Sequence, residues 1–108
     1  MKLLTAVCLL ALGTACMVYA AADAKAGKDV YDRSCRVCHG DEGQGNPAVA
    51  KAMNVTMPDL RSKAVQGKSD AALSEVVEKG SGKMRPVSGL SKSQVADVVA
   101  YVRTLGKK

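Results

Sequence analysis

The sequence predicts an all-α fold in one small domain, and three observations carry that prediction. Near the C-terminus Val95, Val98, Val99, Val102 and Leu105 recur at helical spacing along one face. Ser69 and Ser91 each stand just ahead of an apolar-periodic run, where a hydroxyl caps a helix. No stretch alternates apolar and polar residues for long enough to read as a strand. With 108 residues, the chain has room for a single domain beyond a leader.

The chain opens with Met1-Lys2 and an uncharged apolar run over residues 3–22; charge returns at Asp23. A short positive end, an apolar stretch and small residues at its close mark a secretory signal peptide. Val18-Tyr19-Ala20 and Ala20-Ala21-Ala22 both offer side chains that a signal peptidase accepts, so cleavage is expected after Ala20 or Ala22. Residues 1–22 are read as the signal peptide, residues 23–108 as the working domain, and the periplasm as its destination. The run is also about long enough to span a bilayer, which makes an uncleaved anchor the alternative. Cys16 in "GTAC" would suit a lipidated N-terminus, but Gly13 stands where such signals usually carry Leu.

The first helix is predicted from about Ala24 to the cysteine pair, with Ala26, Val30 and Tyr31 on one side. The Gly- and Pro-bearing stretch "GDEGQGNPAVAKAMNVTMPDLRSKAVQGK" reads as mostly loop, with a short helix near residues 58–64. A second helix starts after Ser69, carries Leu73, Val76 and Val77, and stops at Gly80. The third has the fullest signature: Ser91 and Gln94 form a capping box, and Leu90 and Val95 are spaced as a hydrophobic staple. Its valines favour strands by propensity, but their spacing is that of a helix. Three main helices and a short one are therefore expected.

The chemistry concentrates in "YDRSCRVCHG". Cleavage takes Cys8 and Cys16 away, leaving Cys35 and Cys38 with His39, the sole histidine. A closed zinc site needs four ligands, mainly Cys and His, and this stretch offers three. A thiol–disulfide oxidoreductase wants its first thiol at a helix N-terminus in a βαβ setting; here the pair ends a helix and strands are not predicted. Cys-x-x-Cys-His is also the attachment motif of c-type haem. Helical spacing lets both sulfurs bond the vinyl groups as thioethers, with the adjoining imidazole as an axial ligand. The leader agrees with that assignment, as does a core short of aromatics, with no Phe and no Trp. One covalently attached haem c is the expected cofactor.

With His39 committed, a second axial ligand has to be sought among Met, Lys or weaker groups, or the position is open. Of the methionines beyond the leader, Met53 reads as core filler. Met84 lies in "GSGKMRPVSG", a Gly- and Pro-bearing loop far enough along the chain to reach the opposite face, and is the first candidate. Met57, stiffened by Pro58, is the second.

Taken together, "CRVCHG", "HGDEGQGN", "MPDL", "GSGKMRPV" and "ADVVAYVRTL", in that order, make the chain resemble a class I monohaem cytochrome c of the small bacterial kind. The resemblance covers essentially all of residues 23–108. It implies a cytochrome c fold wrapped round one haem, Cys35 and Cys38 as thioether residues, His39 as proximal ligand and Met84 as distal ligand. It also implies that Gly27 and Tyr31 on the first helix pack across the last helix near Tyr101. A backbone carbonyl that receives the His ring N–H is common in the family, and Pro47 is the candidate for it. Arg85 departs from the pattern by separating Met84 from Pro86, where many relatives have Met-Pro.

A His/Met-ligated haem suits one-electron shuttling between respiratory or photosynthetic partners and needs no protein acid or base. Asp41 and Glu42 are adjacent and read as a solvated loop face, so no enzyme is expected. The formal charge is +6, and Lys83 and Arg85 flank the distal candidate, where they would steer a monomer towards redox proteins with acidic docking faces. Nucleic acid is not an expected partner, since no basic stripe carries interleaved aromatics. The alternatives are a haem subunit held by an uncleaved leader in a larger redox complex, and a haem enzyme or gas sensor with a labile sixth ligand.

Overall fold

The computed structural model describes residues 21–108. Of the leader expected over residues 1–22, all but Ala21 and Ala22 lie outside the described residues, including Cys8 and Cys16. Asp23 caps the first helix, α1 (Ala24–Ser34), its Oδ1 accepting from the amides of Lys25 at 2.9 Å and Ala26 at 3.2 Å. Gly27, Val30 and Tyr31 are its buried residues, spaced as one helical stripe. The predicted continuous run to the cysteines breaks at Cys35 (φ −121°, ψ −36°), and a separate turn of helix, α2 (Arg36–His39), carries the rest of the motif.

The loop expectation needs a correction. Residues after the motif form a further helix, α3 (Pro47–Met53), which the sequence reading missed. Asn46 caps it, Pro47 occupies its first turn, and Asn54 ends it in the left-handed conformation (φ 53°). The short helix expected near residues 58–64 instead lies a few residues later, as α4 (Lys63–Gln66). Asp59 holds residues 59–62 in a tight turn, its carboxylate accepting from the Arg61 amide, and Ser62 becomes the cap by accepting from Val65. The helices α5 (Asp70–Lys79) and α6 (Lys92–Leu105) begin at Ser69 and Ser91 as their caps dictate, with the Ser91–Gln94 box formed in both directions.

No strand occurs among the described residues beyond one isolated bridge, Ser81 to Met84. The core lies where α1 crosses α6: Val30, Tyr31 and Cys35 meet Val98, Tyr101 and Leu105, with Leu60, Val77, Leu90 and Val102 packed around them. Gly27 makes that crossing close, because a Cβ there would overlap the backbone carbonyl of Asp97. Asp97 also accepts from the Asp23 amide at 2.8 Å, fastening the start of α1 to α6. At the other end of α6, Arg103 donates to the carbonyls of Gln66 (2.7 Å) and Lys68 and to Asp70, tying down the segment between α4 and α5. Among the described residues no helix is long and apolar enough to cross a membrane.

Candidate functional site

The break at Cys35 shapes the site. Its carbonyl accepts from the amides of Cys38 at 3.2 Å and His39 at 2.9 Å, closing residues 35–39 into one helical turn. Cys35 points into the α1–α6 core, Cys38 is half-buried and His39 is buried. Gly40 (φ 82°) then turns the chain away, and its carbonyl accepts from the Tyr31 hydroxyl at 2.6 Å. The return segment pins the motif from outside. Gly45 N–H donates to the His39 carbonyl at 2.7 Å, Asn46 N–H to that of Cys38 at 3.0 Å, and Asn46 Nδ2 to that of Val37 at 3.0 Å.

The protonation chemistry follows from burial. Burial, and secondarily the neighbouring Cys38, pushes the Cys35 thiol up to about 11. A redox Cys-x-x-Cys pair needs the opposite shift, so the environment is wrong for an oxidoreductase nucleophile. Burial lowers the pKa of His39 and favours its neutral form, in which a ring nitrogen has a free lone pair. His39 Nδ1 is buried with no hydrogen-bond partner, an orphaned polar atom of a kind native interiors rarely leave. A neutral imidazole with an uncommitted ring nitrogen beside two unbridged cysteines is the donor set that a covalent haem requires.

The other predicted residues fall into separate groups. Tyr31 and Tyr101 stack obliquely, with ring centroids 5.1 Å apart and planes at 56°. Pro47 starts α3, and no hydrogen bond joins it to His39 Nδ1. Met57 lies beside Gly45, close enough that a Cβ on that glycine would come within 3.3 Å of it. Met84 sits half-buried in the turn between α5 and α6, whose ends close on each other through Ser81 N–H to Met84 O at 3.0 Å and Met84 N–H to Ser81 O at 2.9 Å. Gly80 (φ 78°) admits this turn, since a Cβ there would stand 2.5 Å from the Met84 carbonyl. Lys83 and Arg85 are both exposed. The sequence reading missed Asn46, although Asn followed by Pro is a recognisable helix start.

An all-α domain built round a Cys-x-x-Cys-His turn, with a buried neutral imidazole, defines a c-type haem protein. The cytochrome c family profile matches residues 24–106, and the chain belongs to that family, with haem c and its iron as the covalently attached cofactor. It is 33% identical over 90 residues to cytochrome c-554(547) of Halothiobacillus neapolitanus, covering 79% of this chain and 99% of that one. It is 34% identical over 94 residues to cytochrome c-555 of Chlorobaculum tepidum, covering 74% of each. A third relative, the cbb3-type cytochrome c oxidase subunit CcoP of Azospirillum brasilense, is 34% identical over 89 residues; the match covers 80% of this chain and 30% of that subunit. Among solved structures, the KustC0563 c-type cytochrome superposes with a TM-score of 0.63 at 23% identity, covering 73% of this chain and 95% of that one, and shares the fold.

Proposed function

We propose that this protein is a periplasmic one-electron carrier whose haem is ligated by His39 and Met84 and which shuttles electrons between redox proteins. The observation that carries the proposal is the buried His39 ring with its unpartnered Nδ1, in the only histidine of the chain. Bound haem supplies a one-electron couple, and the protein's part is to attach, ligate and insulate it. Cys35 and Cys38 form the thioethers. His39 would ligate the iron through one ring nitrogen, and the Pro47 carbonyl is the candidate to receive a hydrogen bond from the other once haem is bound. Met84 is favoured as the distal ligand because its tight turn comes from a separate loop. Met57 instead lies against Gly45, whose amide bonds the His39 carbonyl. With both His39 and Met84 holding the iron, the bound haem would favour the ferrous form and suit a carrier rather than an enzyme.

Spectra of the purified ferric protein test this reading. A methionine-to-iron charge-transfer band is expected in the native protein, lost in Met84→Ala and kept in Met57→Ala; the reverse pattern would reassign the ligand. A second reading, a haem module held in a larger redox complex, is favoured by the match to CcoP, of which the chain spans about a third. Mass spectrometry of the mature N-terminus separates them: a start at Ala21 or Asp23 supports the free carrier, and retention of residues 1–22 supports the anchored subunit.

A further inference from the structure

Lys83 immediately precedes the proposed distal ligand, and its ammonium is engaged. Its Nζ donates to the carbonyl oxygen of Met53, 2.6 Å away and 30 residues earlier in the chain. Met53 is the last residue of α3, where carbonyls lack helical partners. Asn54, in the left-handed conformation, turns the chain aside and spends its N–H on Ala50 and Lys51, leaving the Met53 carbonyl to Lys83. A cation there meets the negative end of the helix and forms a charge-assisted hydrogen bond.

The other end of α3 is fastened to the haem-attachment motif. Asn46 caps α3 through its Oδ1, while its N–H and Nδ2 hold the carbonyls of Cys38 and Val37. A continuous path of hydrogen bonds therefore runs from the motif through Asn46 and α3 to Lys83. Because the Ser81–Met84 turn is closed by two backbone bonds, holding Lys83 also holds Met84. We propose that Lys83 is a positioning residue: by capping α3 it ties the loop bearing the distal ligand to the motif bearing the proximal one, and so keeps Met84 on the iron. This rests on the assignment of Met84 made above.

The test is displacement of methionine by imidazole, a neutral competitor, from the ferric holoprotein. Imidazole should displace Met84 about five-fold faster in Lys83→Ala, the factor expected for one exposed charge-assisted bond. Lys83→Arg, which keeps a cationic donor, should restore most of the native rate. The acceleration should persist at 0.5 M salt, since a direct bond is screened far less than a long-range field. A native displacement rate in Lys83→Ala, with a charge-transfer band that Met84→Ala abolishes, would overturn the tie and leave the ligand assignment standing. An acceleration that vanishes in salt would also overturn it, reducing Lys83 to a surface charge. Survival of the band in Met84→Ala would remove both.

Discussion

Gly27 lies directly against the backbone carbonyl of Asp97, with no room for a Cβ between them. That contact sets how closely α1 and α6 approach, and so whether Tyr31 and Tyr101 can stack one turn further on. Gly27→Ala would improve helix propensity by about 1 kcal/mol, but it forces a methyl into backbone that cannot rotate away. The clash wins. Denaturant unfolding of the holoprotein should show a net loss of about 2–4 kcal/mol, well above the loss for Ala26→Gly on the same helix. No loss in Gly27→Ala, or a gain of about 1 kcal/mol from propensity alone, would show that α1 and α6 can slide apart without penalty.

Tyr31 is fully buried, and its hydroxyl donates to the Gly40 carbonyl immediately after His39. Burial holds its phenol well above the ordinary tyrosine value of 10.0. For an acid whose folded pKa is raised, the stabilisation is complete below the unfolded pKa and is lost as pH climbs above it, because only the unfolded chain can then ionise. Tyr31→Phe keeps the ring and deletes the bond, so it should lower stability by about 1–2 kcal/mol at pH 7. That difference between native and variant protein should shrink above about pH 10. A difference that stays constant or widens with rising pH would show that the phenol ionises at least as readily in the folded protein as in the unfolded chain.

Local chemistry made much of this protein legible in its sequence. The caps at Ser69 and Ser91, the valine stripe of α6 and the residues 35–39 all act over a few positions, and the backbone follows them. Helix α3 escaped because its start signal, Asn46-Pro47, sits in a glycine-rich stretch where proline equally suggests a turn. The break at Cys35 and the shift of the short helix to Lys63–Gln66 turn on backbone angles that no spacing reveals. Least legible were the long-range ties, Lys83 to Met53 and Arg103 to Gln66. A long flexible side chain carries no local sign of which distant carbonyl it will meet.

The charge around Met84 yields the last prediction. Several surface charges are already balanced by neighbours: Lys79 pairs with Glu75 at 3.3 Å, Arg36 with Asp41 at 2.6 Å, and Arg61 with Asp59 at 2.9 Å. Lys83 and Arg85 form no ion pair among the described residues, so the field beside the distal loop stays positive even though Lys83 bonds a neutral carbonyl. Such a field accelerates encounter with an acidic partner and weakens as the Debye length contracts from about 30 Å at 0.01 M salt to about 8 Å at 0.15 M. Stopped-flow electron transfer to an acidic one-electron protein should therefore slow about ten-fold or more over that range. Arg85→Glu should slow the reaction several-fold at low salt and converge on the native rate at high salt, because its effect lies in the approach rather than in the haem. A salt-independent native rate would assign these cations to solubility alone.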